Sequence, residues 1–104
     1  MFKIGNDIVL ISRMEKSAKN QRFLENVFTQ GELTHCKTAQ SLAGVFAAKE
    51  AYLKAQGTGL VRPLNRVEII YDKNNKPHIA GCEKCDISIS HDGDYAAAVA
   101  IVWD

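Results

Sequence analysis

Two carboxylates stand where their neighbours do not favour a charge. Asp7 interrupts the apolar run Ile4-Gly5-Asn6-Asp7-Ile8-Val9; aspartate is disfavoured within strands, and a partly covered carboxylate requires a partner. Gly5, two residues earlier on the same face, leaves room for a ligand or another backbone to approach. Glu50 belongs to Phe46-Ala47-Ala48-Lys49-Glu50-Ala51-Tyr52-Leu53-Lys54-Ala55, where helical geometry sets it beside the apolar arc of Leu42, Phe46 and Leu53, flanked by Ala43 and Ala47. Lys54, one turn later, shares its face. Each carboxylate has an ordinary account: Asp7 pairs with a lysine or caps a helix beginning near Ser12, and Glu50 forms a solvated ion pair with Lys54. Together, on separate elements and with a lysine close to one of them, they also suit a hard cation. Mg2+ takes one or two protein carboxylates and completes its octahedron with water and substrate phosphate.

Groups suited to phosphate recur toward the C-terminus. In Ser88-Ile89-Ser90-His91-Asp92 the serines and the strand-end histidine can hydrogen-bond phosphate oxygens, although a histidine at such a junction equally serves to hold a turn. Gly57-Thr58-Gly59 follows a helix C-terminus, whose dipole disfavours anions. It therefore reads as a helix stop that either lets a nucleotide approach backbone or contacts no ligand, not as a phosphate loop. Cys82-Glu83-Lys84-Cys85 has metal-ligand spacing, with His78 and His91 near in sequence. Structural zinc takes four N or S ligands, however, and a second closely spaced pair is missing. A thioredoxin-like motif needs a helix after it, whereas a strand follows here.

The elements that must position these residues follow from periodicity. Phe2 to Leu10 alternates as a strand, with Phe2, Ile4 and Ile8 on one face and Gly5, Asp7 and Val9 on the other. Ser12 to Phe28 turns helical, in two short pieces around Ala18 to Gln21. Thr29, with Glu32 three residues later, forms a capping box that starts another helix. From about Thr38 to Gln56 the apolar residues and interspersed alanines specify the longest helix, which Gly57 ends. Arg66 to Tyr71 alternates, and Asp72 to Pro77 loops back through His78 to Ala80. Asp86 to Ser90 points Ile87 and Ile89 inward and Asp86, Ser88 and Ser90 outward; Asp92-Gly93 turns the chain into a last strand, Tyr95 to Trp103. Helices in the first half and antiparallel strands in the second indicate an α+β fold.

Totals bound the function. The 104 residues make one domain, with 46% hydrophobic and 24% charged residues. A net charge of +1 disfavours a general nucleic-acid role. The longest uncharged apolar run, Tyr95 to Trp103, is roughly half the ~20 residues of a spanning helix, so no membrane segment is expected. Asp7 interrupts any signal-peptide core, and the three cysteines are an odd count, so reduced thiols and a cytoplasmic location are expected. A core of this size is modest, and association with further copies would enlarge it.

Taken in order, Ile4-Gly5-Asn6-Asp7-Ile8-Val9, Leu42 to Ala51, Lys54-Ala55-Gln56-Gly57-Thr58-Gly59, and Ile87-Ser88-Ile89-Ser90-His91 followed by Tyr95-Ala96-Ala97-Ala98 resemble the successive signatures of the holo-acyl-carrier-protein synthase family, the small phosphopantetheinyl transferases. The likeness takes in Arg22-Phe23-Leu24 through Leu33 and Asn75 to Ile79, and so nearly the whole chain. It implies an antiparallel sheet packed against a long helix, and an enzyme of fatty acid biosynthesis. The reaction implied is transfer of 4'-phosphopantetheine from coenzyme A to a serine of acyl carrier protein, releasing adenosine 3',5'-bisphosphate.

By that resemblance Asp7 and Glu50 bind Mg2+, and Glu50 and Lys54 carry the catalysis. Lys54, Gly57, Thr58, Gly59, Ser90 and His91 then contact coenzyme A; on chemical grounds Glu50 or a metal-bound water could take the serine proton. Arg13 helps to hold the acidic helix of the carrier, beside the basic Lys16, Lys19 and Arg22. The resemblance further implies a homotrimer with active sites at subunit interfaces. One position departs: many relatives carry an arginine on the nucleotide phosphate where this chain has Val45.

Overall fold

Strand alternation and helix capping translate directly into elements in the computed structural model, which describes residues 1–57 and 63–104. Strand β1 (Phe2–Leu10) runs into α1 (Ile11–Ser17), α2 (Gln21–Val27), α3 (Gln30–His35) and the long α4 (Ala39–Gln56). A 3-10 turn at Leu64–Arg66 leads to β2 (Ile69–Tyr71), β3 (Pro77–Ile79), β4 (Cys85–Asp92) and β5 (Tyr95–Trp103). Caps place the helix ends. Asn20 accepts from the Phe23 amide before α2, Thr29 and Glu32 form the capping box of α3, and Thr38 and Ser41 form that of α4. Gly57 closes α4 in the left-handed conformation, φ 70°. The expected strand from Arg66 begins later, at Ile69, because Leu64 to Val67 first close a tight turn through the Val67 amide and Leu64 carbonyl (3.1 Å).

Strands β1, β5 and β4 form an antiparallel sheet in that order, and β2 pairs with β3. Across the larger sheet the register aligns Gly5 with Ala100 and Ile87, Asp7 with Ala98 and Ile89, and Val9 with Ala96 and His91. This is the face α4 covers. Ala96, Ala98 and Ala100 are buried on it, opposite Ala43, Ala47, Ala48 and Ala51 of the helix. At Gly5 the two backbones meet: a Cβ there would collide with the Ala51 carbonyl and lie 2.6 Å from the Ala55 nitrogen. The apolar stripe of β1 is consequently the outer one. Phe2, Ile4 and Ile8 stand 71%, 72% and 66% exposed, on the face that also carries Tyr95 and Val99.

On another side of α4 a charge is buried. Lys49, fully enclosed, pairs with Glu32 Oε1 (2.5 Å) and donates to the Val27 carbonyl (2.7 Å). The Glu32 carboxylate also accepts from the Thr29 amide (2.8 Å) and the Ile69 amide (2.6 Å). Burial pushes the Lys49 ammonium below its ordinary range, and Glu32 opposes that shift. One ion pair thus joins α2, α3, α4 and β2.

Removing one member of such a pair strands the other, so Lys49→Met should cost about 3–5 kcal/mol, read as a lower midpoint of urea unfolding. A second expectation concerns acid. Lys76 Nζ donates to Asp86 at 2.8 Å and holds that carboxyl below its ordinary 3.8. Because the folded value is the lower one, the stabilisation is complete above the unfolded value and is lost as pH falls through the folded value. The stability gap between wild type and Asp86→Asn, at most about 1 kcal/mol for an exposed pair, should therefore vanish on acidification below pH 3.8.

Candidate active site

Asp7 lies on the helix-facing side of β1, two residues beyond the Gly5 contact, and its side chain is 16% exposed. The close approach brings Lys54 across from α4: its Nζ bonds Asp7 Oδ1 and the Asn6 carbonyl, both at 3.0 Å. The ordinary account of Asp7 as a lysine partner and its chemical account therefore fall on the same residue pair. Glu50, buried on α4, and Asp7 line one cleft of about 420 Å³. Arg13, exposed on α1, reaches the same cleft, whose apolar lining includes Met14, Phe23 and Phe46. Two carboxylates, a guanidinium and a nearby ammonium are chemically suited to a hard cation and an anionic substrate. Lys16 on α1, Lys19 in the turn after it and Arg22 on α2 are exposed as well.

His91 sits on the far edge strand, across β5 from Val9 and hence about 10 Å away at ordinary strand spacing. Its ring rests on Gly44 of α4, where a Cβ would lie 3.0 Å from His91 Nε2 and 2.8 Å from Ile89 Cγ2. With Ser41, Lys76 and Pro77 it lines a second cavity, of about 370 Å³. His35 and Tyr71, stacked at 3.7 Å, form another wall, and burial keeps the Tyr71 phenol protonated. Ser41 belongs to the first turn of α4, where the helix dipole favours anions. Within one chain Asp7 and His91 thus lie on opposite edge strands of the sheet, and the two carboxylates and the histidine line separate cavities.

Other expected positions are distributed as follows. Ser90 projects from the outer face of β4, away from the His91 cavity, because neighbouring strand residues alternate. Gly57 caps α4, its amide bonded to Leu53 and Lys54 carbonyls; Thr58 and Gly59 lie outside the described residues. Val45 is fully buried in the core. His78 bonds Asp72 (3.0 Å), and among the described residues no group of three or more His, Cys, Asp or Glu converges to hold a metal. Sequence reasoning missed Ser41 and Lys76 as cavity-lining groups; the Thr38 cap and the Asn75-Lys76-Pro77 turn placed them locally, but only the fold unites them.

A family model described as the 4'-phosphopantetheinyl transferase superfamily matches residues 3–100. A holo-[acyl-carrier-protein] synthase of Protochlamydia amoebophila is 44% identical, the match covering 96% of this chain and 95% of that protein. One from Geobacillus kaustophilus is 42% identical over 95% of this chain and 86% of its own length. Among solved structures, Helicobacter pylori holo-[acyl-carrier-protein] synthase in complex with coenzyme A superposes with a TM-score of 0.86 at 34% identity, covering 96% of this chain and 99% of that one. The Bacillus anthracis synthase in complex with CoA (3',5'-ADP) gives 0.82 at 34% identity over 96% and 94%.

The Gly44 contact can be tested directly. Gly44→Ala should displace the His91 ring, seen as a shift of its imidazole NMR signals. Overpacking strain of about 1–3 kcal/mol should be partly offset by ~1 kcal/mol of helix propensity.

Proposed function

Because the chain belongs to the holo-[acyl-carrier-protein] synthase family of the 4'-phosphopantetheinyl transferase superfamily, we propose that the Asp7 and Glu50 cleft is where it performs that family's reaction. The enzyme transfers 4'-phosphopantetheine from coenzyme A to the serine hydroxyl of an apo acyl carrier protein. The serine oxygen forms a bond to the phosphorus bearing pantetheine, the pyrophosphate P–O bond breaks, and adenosine 3',5'-bisphosphate leaves. The observation that carries the placement is the shared cleft of Asp7 and Glu50, with Lys54 bonded to Asp7 at 3.0 Å.

The donor set fits Mg2+. Two carboxylates from separate elements leave the remaining positions to water and substrate oxygens, whereas a soft, fully protein-bound ion has no ligand cage among the described residues. Asp7 and Glu50 would hold the ion, which would supply positive charge to the pyrophosphate oxygens. Lys54 adds a second positive charge, exchanging part of its contact with Asp7 for phosphate. The Glu50 carboxylate offers the serine hydroxyl an acceptor and is the chain's own group for its proton. Arg13, at the mouth, meets the acidic surface of the carrier, and Lys16, Lys19 and Arg22 extend that attraction, which mainly speeds encounter. The His91 cavity, with Lys76 and the first turn of α4, takes the nucleotide phosphates, and Gly57, Thr58, Gly59 and Ser90 remain candidate coenzyme A contacts from sequence.

A homotrimer reconciles the two cavities. The outer sheet face is apolar, with Phe2, Ile4, Ile8 and Val99 exposed, and threefold closure would set the β4 edge of one copy toward the β1 edge of the next. Carboxylates and His91 would then serve one coenzyme A from two chains. On this reading the chain works in the cytoplasm, where coenzyme A and carrier meet, and serves fatty acid biosynthesis.

The deciding experiment incubates the protein with coenzyme A, Mg2+ and apo carrier and reads the carrier's mass. Phosphopantetheine addition is expected; no gain with several carriers and with either Mg2+ or Mn2+ would overturn the function. Asp7→Ala and Glu50→Ala should each lower turnover by at least about 100-fold with an unchanged circular dichroism spectrum. Ile4→Asp should yield monomers by light scattering and lose turnover with them; an active monomer would sink the interfacial site.

A further inference from the structure

The Cys82-Glu83-Lys84-Cys85 turn takes no part in the site above, yet its two sulfurs are placed to react with each other. After β3 the chain turns through Gly81, in the left-handed region at φ 76°, and the Cys82 amide closes back on the Ile79 carbonyl (3.3 Å). Cys85 opens β4, so the two cysteines flank one tight turn. The Cys85 thiol donates to the Cys82 carbonyl at 3.5 Å, and the two thiols lie close enough to perturb one another's ionisation. Cys82 lines an open cleft with Gly81, Glu83 and Lys84. Cys85, half-buried, faces the helix side of the sheet opposite Val102. Tyr52 of α4, which accepts from Gln56 Nε2 at 2.7 Å, lies beside Cys82 and Cys85, so the pair rests against the stretch of helix that carries Glu50 and Lys54. The third thiol, Cys36, is buried in a separate cluster with Ser41 and Tyr71.

We propose that Cys82 and Cys85 are a dithiol site that low-molecular-weight disulfides oxidise to an intramolecular disulfide. Cys82 reacts first because it lines the open cleft, whereas Cys85 does not. The Cys82 thiolate attacks one sulfur of the small disulfide; a mixed disulfide forms on Cys82 and one small thiolate leaves. Cys85, its proton lost to solvent, attacks the Cys82 sulfur; the Cys82–Cys85 bond forms and the second small thiolate leaves. Two electrons and two protons pass from the protein thiols to the small disulfide, which becomes two thiols. Burial, with the hydrogen bond to Cys82, pushes the Cys85 thiol up to about 12, which makes ring closure the slower step and pH-accelerated.

The test treats the purified protein with glutathione disulfide, then alkylates under denaturing conditions and reads intact mass and peptide links. Expected is a product lighter by two hydrogens, with Cys82 linked to Cys85 and a single alkyl group on Cys36. Cys85→Ser should instead accumulate a glutathione adduct on Cys82, removed by dithiothreitol, and Cys82→Ser should acquire neither link nor adduct. Wild type that alkylates at all three cysteines, keeps a stable adduct, or links through Cys36 or between chains would overturn the proposal.

Discussion

A helix can lie against a sheet only as closely as the side chains between them allow, and in this chain those side chains are reduced almost to nothing. Gly5 lets β1 touch the α4 backbone at Ala51 and Ala55, Gly44 makes room for Ile89 and His91, and alanines fill the interval between. The site depends on that distance. Lys54 reaches both Asp7 and the Asn6 carbonyl because the strand is close enough to be reached, and Glu50 shares a cleft with Asp7 for the same reason. A pair of larger residues at the contact would move every one of these groups by the width of a methyl or more, and interiors packed at crystal-like density do not absorb such shifts.

Small residues place a helix closely but say little about how it is turned about its axis. Helix α4 is buried on several sides, so its apolar pattern alone does not choose a rotation. The Lys49–Glu32 pair resolves this. Taking both charges out of water is costly, and the pair returns that cost only in the one arrangement where Lys49 meets Val27 and Glu32, and Glu32 meets the Thr29 and Ile69 amides. With glycine contacts on one side and a geometrically exacting ion pair on the other, Glu50, adjacent to Lys49 in sequence, is aimed into the cleft.

Much of this is legible in residue order, because it is local. The capping pair Thr29 and Glu32, the helix stop at Gly57, the alternation of β4 and the extent of β5 are read from residue order and found as read. What escapes is whatever depends on which face meets what. The apolar face of β1 points outward and its glycine-bearing face inward, the reverse of the usual partition, because the inner side must admit a helix backbone and the outer side is itself apolar. Glu32 reads as a helix cap, and nothing nearby in sequence signals that it also neutralises Lys49. Asp7 and Glu50 stand out locally by type, but Ser41 and Lys76 acquire their relation to His91 only when strands far apart in sequence are aligned.

On the interfacial site proposed above, the separation of Asp7 and His91 onto opposite edge strands would have a genetic side. When a site is assembled from two chains, a defect does not belong wholly to the subunit that carries it. A chain without its carboxylates and another without its histidine, each inert by itself, would rebuild an intact site wherever their sound edges meet in a mixed assembly. Conversely, one faulty gene copy would spoil sites shared with healthy neighbours, so the dose of a damaging allele and its effect would not run in proportion.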